Sequence, residues 1–255
     1  MEPLRKPFQG VTNIVRFNWH FYALSLAMVA VSMVANEITS HTFHYFLIFL
    51  NYLVIATTLL SLVVSSYIYD FSDLYTFTWL EDSQSEMKQR RLLNIHSGFD
   101  ETSALIKNRF SNDELVVFDF YDKAKHTEVS IRRARRMYPP FPGTRLIETH
   151  HVPVEDYSAD LVFLILTAHE IREQKERIVF FNELYRTLKP EGRIIVVEHI
   201  RDTANFLAYT VGFFHFHSRT CWLTTFREAG LFLHKETKIT PFITLFTLRK
   251  DGSTS

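Results

Sequence analysis

The stretch Glu183–His199, ELYRTLKPEGRIIVVEH, decides the fold. Its first part has the mixed polar and apolar pattern of a helix end, KPEG is typical of a turn, and RIIVVEH is an apolar run typical of a buried strand. The strand ends on the polar pair Glu198 and His199. Helix–turn–strand units of this kind build parallel sheets that are covered by helices.

The sequence on both sides of this stretch continues the alternation. Upstream, ADLVFLILTAHE (159–170) is apolar enough for a fully buried strand, and residues 171–188 place apolar side chains on one helical face. We therefore predict an α/β fold over residues 91–255, with a doubly wound, Rossmann-like sheet and helices on both faces. Further strands are predicted at 92–98, 114–122, 144–150, 231–239 and 242–250, with helices at 101–110 and 130–138 and around 224–229.

The first 70 residues have a different composition. Two apolar blocks, at about 17–35 and 43–69, enclose Glu37 as the only Asp, Glu, Lys or Arg between Phe17 and Tyr69. A helix needs roughly 20 apolar residues to cross a bilayer. We predict that residues 1–70 are a membrane anchor made of a two-helix transmembrane hairpin, followed by an interfacial segment and linker over 71–90. The alternative is a buried helical hairpin in a soluble protein.

Basic residues flank the two blocks on their outer sides. The positive-inside rule places such flanks in the cytoplasm. The sequence thus predicts a multi-pass protein of the cell inner (cytoplasmic) membrane, with both termini and the large domain cytoplasmic. The flanking residues are Arg5, Lys6 and Arg16 before the first block and Lys88, Arg90 and Arg91 after the second.

Overall composition excludes several classes of site and partner. The chain has 28 Lys and Arg against 28 Asp and Glu, so it has no net basic charge and no nucleic-acid partner is expected. The single Cys221 excludes an intramolecular disulfide and a multi-cysteine zinc site.

The quoted stretch resembles the "E-RvLkPGGrl-i-E" segment of class I S-adenosylmethionine (SAM) methyltransferases, particularly those similar to the ubiquinone and menaquinone C-methyltransferases. The run HHVPVEDYSADLVFL (150–164) resembles the "a-LPf-d-sfD-v" segment of the same family. The resemblance spans about residues 91–250. It implies methyl transfer as the activity and S-adenosyl-L-methionine as the cofactor.

The resemblance also implies a cofactor site at the first strand. The family motif D/E-x-G-x-G-x-G aligns with Asn94, His96, Gly98 and Asp100, so this sequence keeps one glycine of three and replaces the acid. The family's glycines let the backbone approach the cofactor closely, and a histidine and an aspartate add bulk there.

Other cofactor residues follow from the same alignment. Asp119 matches the acid that binds the ribose hydroxyls, with Asp122 as its competitor, and Tyr121 falls near the adenine. Glu148 matches the acid that binds the adenine amino group, and Thr167 lies at the end of the fourth predicted strand.

The predicted catalytic residues follow the fourth and fifth strands or lie in the last crossover. A methyltransferase needs positioning and a base for the acceptor proton, and imidazole has a suitable pKa. His169 and His199 are the first choices for this base, oriented by Glu170 or Glu198, and Arg201 and Arg219 would hold an anionic acceptor. The full set is His169, Glu170, Glu198, His199, Arg201, His217 and Arg219.

Together these features predict a membrane-anchored, SAM-dependent methyltransferase. Its partners would be the lipid bilayer and a lipophilic small-molecule acceptor, either aromatic, quinone-like or polyene-linked, methylated at the cytoplasmic membrane face. The favoured interpretation uses no metal. One alternative is a SAM- or metal-using membrane enzyme of divergent chemistry, because the same histidines and carboxylates can bind a metal. Another is a catalytically inactive scaffold with the methyltransferase fold.

Overall fold

The computed structural model of the protein describes residues 5–38, 41–80, 89–125 and 128–250. Seven strands form one sheet in these ranges: β1 Arg91–His96, β2 Glu114–Asp119, β3 Arg145–Leu146, β4 Ala159–Ile165, β5 Leu188–His199, β6 Phe232–Thr240 and β7 Ile243–Arg249. Their order is β3-β2-β1-β4-β5-β7-β6, with β1 to β5 parallel and β7 antiparallel to both of its neighbours. The predicted doubly wound α/β fold is confirmed. The strand order reverses direction between β1 and β4, where sheets of this kind bind their ligands.

Eight α-helices accompany the sheet in the described ranges: α1 Gln9–Phe17, α2 Trp19–Asn36, α3 His41–Ser66, α4 Ser103–Arg109, α5 Val129–Met137, α6 Gln174–Thr187, α7 Thr203–Tyr209 and α8 Arg219–Glu228. A π-helical turn, Tyr67–Phe71, continues α3 toward the sheet. Alternate residues of the strands belong to two separate cores, which shows that both sheet faces are covered. Helices α6 and α8 cover one face, and α4, α7 and the end of α3 cover the other.

The segment after α3 packs on the sheet. Leu74, Phe77 and Leu80 are buried, and the Phe77 ring lies edge-on to Phe163 of β4 with 6.3 Å between centroids. The sequence predicts an interfacial segment here, and the structure shows that its apolar side chains share a core with the sheet. Most of the predicted linker, residues 81–88 with Lys88, lies outside the described residues.

Helices α2 and α3 present apolar surface outward. No residue of α2 is buried, and Leu26 and Val31 are 72% and 69% exposed. Two described segments, Trp19–Asn36 and Phe43–Tyr75, are long and apolar enough to cross a membrane by length and composition.

The KPEG sequence forms a bulge inside β5, where the sequence predicts a turn before the strand. Leu188 pairs with Ala159 and Arg193 pairs with Leu161, so the intervening residues loop out of register. Gly192 is required here, because a Cβ atom at this position would lie 2.7 Å from the Leu188 side chain. The predicted third strand, 144–150, shortens to the two residues of β3.

Candidate active site

A cavity of about 990 Å³ lies beyond the carboxyl ends of β1 and β4 and extends between α2 and α3. At the sheet it is lined by polar side chains, among them His96, His169, Glu170, His199 and His215. At the helices its lining is mostly apolar with small hydroxyl groups, and includes Leu24, Ser25, Met28, Val54, Thr57 and Thr58. The cavity therefore joins the switch point of the sheet to the interior of the N-terminal helix pair.

We call the part around His96, Gly98, Asp100 and Asp119 the cofactor end. Asn94, which takes the family's acidic position, is 1% exposed, and its amide donates to the hydroxyls of Thr102 (2.9 Å) and Ser103 (2.7 Å). Asn94 thus holds the start of α4, and its amide hydrogens are used within the protein. The cofactor-binding role of Asn94 stays a prediction.

His96 and Asp100 each keep a buried polar atom without a hydrogen-bond partner among the described residues. These atoms, His96 Nε2 and Asp100 Oδ2, lie 3.8 Å apart. The Gly98 N–H donates to His96 Nδ1 at 3.1 Å, so in the neutral ring Nε2 carries the proton. Burial lowers the pKa of His96, although Asp100 and Asp119 oppose the shift. The pair therefore offers one donor and one acceptor side by side.

Asp119 ends β2 with a buried carboxylate that pairs with Arg135 of α5. Its other oxygen accepts the N–H of Tyr121 at 2.8 Å. The Arg135 guanidinium also donates to the Gly98 carbonyl at 3.3 Å and lies 4.4 Å above the Tyr121 ring. Arg135 thus contacts Asp119, Gly98 and Tyr121, which are all predicted cofactor residues.

The other predicted cofactor residues lie apart from this group. Asp122 accepts the N–H of Ala124 at 2.8 Å, and Glu148 is exposed and lies 3.1 Å from His150. Thr167 is buried after β4, and its hydroxyl has no partner among the described residues.

We call the part around His169, Glu170, His199 and His215 the acceptor end. His169 Nδ1 lies 2.7 Å from Glu198 Oε2, and the other Glu198 oxygen accepts the N–H groups of Thr167 and His169, each at 3.1 Å. His169 Nε2 lies 3.4 Å from Glu170 Oε1. Burial opposes a charge on His169, but Glu198 and Glu170 outweigh it and raise the pKa of His169 to about 10. The two carboxylates thus favour the protonated imidazole, and the role of His169 as a base for the acceptor proton stays a prediction.

His199 is buried with both ring nitrogens bonded. Nδ1 lies 3.1 Å from Asn205 Oδ1 and Nε2 lies 2.8 Å from the Tyr69 hydroxyl, while the ring stacks on Phe216. The Asn205 amide donates to the carbonyls of Ile200 and Phe242, so its oxygen accepts from His199 and Nε2 accepts from Tyr69. Burial lowers the pKa of His199 to about 3. His199 is therefore a neutral residue that positions Tyr69.

Glu198 and three further predicted catalytic residues do not enter the cavity lining. Arg201 donates to the carbonyls of Phe214 (2.8 Å) and Phe216 (2.7 Å) and so holds the chain around His215. His217 Nε2 lies 3.0 Å from Arg177, and burial lowers the pKa of His217 to about 3. Arg219 is exposed and pairs with Glu236 at 2.7 Å. Arg201, His217 and Arg219 thus have partners outside this cavity, and their predicted catalytic and acceptor-binding roles stay predictions.

Several cavity residues are absent from the predicted set. His215 and Glu128 both line the cavity, and His215 Nδ1 lies 2.8 Å from Glu128 Oε1. Tyr69, in the π-helical turn that continues α3, also lines it. The sequence HFH (215–217) contained the signal for His215, but the spacing does not show which histidine faces inward. Glu101 binds Arg5 at 3.0 Å and Tyr75 at 2.9 Å, which fastens the N-terminal segments to the cofactor end.

Comparison with known proteins agrees with this architecture. Residues 97–196 match the family described as "Methyltransferase domain". An O-methyltransferase family 2 protein from Planctomyces limnophilus, solved in complex with apigenin, is 13% identical, with 77% of this chain and 61% of that chain covered and a TM-score of 0.51. A SAM-dependent methyltransferase from Aquifex aeolicus is 12% identical, with 75% and 97% covered and a TM-score of 0.49.

A third similar structure is geranyl diphosphate C-methyltransferase from Streptomyces coelicolor, at 13% identity, 64% and 73% coverage and a TM-score of 0.46. No curated protein matches the sequence significantly. At such identities a structural likeness concerns the fold. The family match over 97–196 and the strand order agree, and they identify this part of the chain as a SAM-dependent methyltransferase domain, with S-adenosyl-L-methionine as its cofactor.

Proposed function

We propose that the protein is a membrane-anchored methyltransferase that transfers a methyl group to a lipophilic acceptor, either aromatic, quinone-like or polyene-linked, taken from the bilayer. One observation carries this proposal: the same cavity is lined by α2 and α3 and by the polar residues of the sheet edge. Helices α2 and α3 are long and apolar enough to cross a membrane. A lipid-soluble molecule between them would thus have a continuous path to His169 and Glu170.

The cofactor end has groups that fit S-adenosyl-L-methionine. His96 Nε2 and Asp100 Oδ2 are an unpaired donor and an unpaired acceptor, which suits the carboxylate and the ammonium of an amino acid. Asp119 supplies a strand-end carboxylate for two neighbouring hydroxyls, provided that Arg135 leaves it. When bound, the cofactor supplies an electrophilic methyl group on a sulfonium.

At the acceptor end, two residues orient the side chains that would contact the acceptor. The Glu198 carboxylate fixes the His169 ring through Nδ1, and His199 fixes the Tyr69 hydroxyl through Nε2. His169 and Tyr69 would therefore present a hydrogen-bond donor and a hydroxyl at fixed positions to an acceptor. Positioning of this kind supplies much of the rate in a reaction whose electrophile is already activated.

The N-terminal helices are fixed to the domain at their polar end. Arg133 of α5 donates to the Phe17 carbonyl at 2.5 Å, and its guanidinium lies 5.2 Å from the centre of the Trp19 ring. Asp70 accepts the N–H groups of Gly10 (2.7 Å) and Val11 (2.9 Å) at the start of α1. These bonds support an anchor in which the domain sits at the base of the helices, and we propose that this base is on the cytoplasmic side, where Arg5 and Lys6 also lie in the sequence.

A bulky side chain in the part of the cavity between α2 and α3 tests whether the acceptor reaches the sheet edge through this cavity. Thr57→Trp fills the cavity between α2 and α3, whereas Leu59→Trp places the same ring on the same helix at a side chain that is 57% exposed. Each variant is reconstituted in liposomes with labelled SAM and a lipid extract, and label in the organic phase is measured.

We expect Thr57→Trp to lower methyl transfer by at least about tenfold through loss of acceptor binding, with SAM affinity unchanged, and Leu59→Trp to match wild type. Equal transfer by all three proteins would contradict the route. Transfer of label only to water-soluble compounds would contradict the lipophilic acceptor.

A further inference from the structure

The acceptor end holds two histidines and a carboxylate in the spacing of a metal site. Glu170 Oε1 lies 3.4 Å from His169 Nε2 and 3.6 Å from His215 Nε2, and the three ligand atoms lie within 4.8 Å of one another. Ligands bound to zinc at about 2.1 Å in a tetrahedron are separated by about 3.4 Å. A metal ion can therefore sit among these atoms with little movement of the side chains.

Both histidine rings are oriented by a second carboxylate. His169 Nδ1 lies 2.7 Å from Glu198, which is fully buried, and His215 Nδ1 lies 2.8 Å from Glu128. Histidine ligands of metals commonly donate their second N–H to a carboxylate, which turns the other nitrogen toward the ion. Here that arrangement occurs twice, and both Nε2 atoms face the same Glu170 oxygen.

The three residues come from two separate parts of the chain that the fold brings together. His169 and Glu170 lie in the 3₁₀ turn after β4, and His215 ends the 3₁₀ segment Thr210–His215. Arg201 holds that segment through the carbonyls on either side of His215. The ligand atoms are thus fixed by backbone contacts, by the buried Glu198 carboxylate and by the partly exposed Glu128 carboxylate before any ion binds.

From this geometry we propose that His169, Glu170 and His215 bind one divalent transition metal ion, with zinc as the best match to two imidazoles and a carboxylate at tetrahedral spacing. The ion takes the place of the Nε2 proton of His169. All three residues line the cavity, so the fourth position is open to a ligand from it. The proposal goes beyond the proposed function and does not depend on it.

One neighbour competes with this arrangement. The Arg172 guanidinium also lies against His215 Nδ1, at 2.5 Å, and against the His215 carbonyl. A metal-free network of ion pairs among Arg172, His215, Glu128 and Glu170 is therefore the opposing interpretation. The two interpretations differ in whether the purified chain retains metal.

The experiment uses the full chain in nanodiscs, stripped with a chelator, mixed with Zn²⁺ and desalted. Bound zinc is counted by mass spectrometry, and affinity is measured by chelator competition. We expect one zinc ion per chain in wild type and a loss of more than about 100-fold in affinity for His215→Ala and Glu170→Gln, since each removes a ligand. Glu128→Gln keeps all three ligands and removes only an orienting carboxylate, so its loss should be about 10- to 100-fold.

The matched control is His150→Ala, an exposed histidine that lies 3.1 Å from Glu148 outside this cavity, and it should bind zinc like wild type. Co²⁺ provides a second readout, because its visible spectrum distinguishes tetrahedral nitrogen and oxygen ligands from free aqueous ion. Circular dichroism and melting curves show whether each variant is folded. Wild type that retains no zinc, or His215→Ala and Glu128→Gln that both retain it with unchanged affinity, would overturn the proposal.

Discussion

The two ends of the cavity differ in how the polar side chains that line them are bonded within the protein. At the cofactor end, Asp119 is already paired with Arg135, and the Gly98 carbonyl is bonded to the same guanidinium. At the acceptor end, His169 Nε2 and His215 Nε2 lie 3.4 and 3.6 Å from Glu170 at the cavity wall, and each ring is held through its Nδ1 atom. Under the proposed function, cofactor binding at Asp119 therefore requires Arg135 to move, whereas the acceptor end is preorganised.

The difference follows from sequence changes at the first strand. The family's glycines leave room for a cofactor, and here His96 and Asp100 replace two of them. A Cβ atom on Gly98 would lie 2.8 Å from the Arg135 guanidinium, which shows how closely that side chain fills the space. The Arg135 side chain of α5 thus fills the space beside Gly98 at the cofactor end.

Loss of Asp119 should have the largest effect on the cofactor end. We expect Asp119→Ala to weaken binding of SAM and S-adenosylhomocysteine by at least about 100-fold, because two hydrogen bonds to a carboxylate contribute about 1.5–3 kcal/mol each. Calorimetric titration of the detergent-purified protein measures this. Asp122→Ala is the matched control and should stay within about threefold of wild type. If the two variants exchanged these results, Asp122 would be the ribose acid.

Loss of Arg135 should act in the opposite direction. Arg135→Ala frees the Asp119 carboxylate, so we expect SAM to bind about tenfold more tightly, equivalent to about 1.4 kcal/mol for an ion pair that no longer has to open. Arg136→Ala removes an exposed arginine from the same helix and serves as the control in the same titration. Weaker binding by Arg135→Ala alone would show that the guanidinium is a cofactor ligand.

The fold could be predicted from sequence because its signals are local. Glu183–His199 contains a helix end and a buried strand next to each other, and the same alternation places β1, β2 and β4 close to their observed ranges. The predicted cofactor acid Asp119 and the Glu198–His169 pair at the acceptor end can also be found from the sequence, since they lie at the ends of predicted strands.

The remaining site residues depend on contacts between distant parts of the chain. Arg135 lies in a helix whose basic composition predicts a solvated face, yet it reaches across to β2. His215 and His217 are two residues apart, and only the turn at the end of the 3₁₀ segment decides that His215 faces the cavity. Sequence spacing contains no record of such a turn, so it does not distinguish His215 from His217.

A further difference concerns the pH dependence of stability at the acceptor end. Burial lowers the pKa of His199 to about 3, with the positive His169 and the nearby His215 acting in the same direction, and the hydrogen bond to Asn205 opposes the shift. Tyr69 and Tyr209 also face the ring. In the unfolded chain this histidine takes up a proton near pH 6.5, so its contribution to stability is complete above that pH.

As the pH falls from 6.5 toward 3, this contribution is lost at roughly 1.4 kcal/mol per pH unit. His169, whose pKa is raised to about 10, stays protonated in the folded protein over this window, and in the unfolded chain it takes up its proton near pH 6.5, so its effect on the slope is confined to the upper end of the window and is shared by wild type and His199→Gln. We expect His199→Gln to reduce the acid dependence of the unfolding free energy by about one proton, while His234→Gln on β6 shows the effect of losing an exposed histidine. Urea unfolding of the detergent-solubilised protein at pH 6.5, 5.5 and 4.5 measures both slopes. Equal slopes in wild type and His199→Gln would mean that His199 takes up its proton in the folded protein, and its role in positioning Tyr69 as a neutral acceptor would then fail.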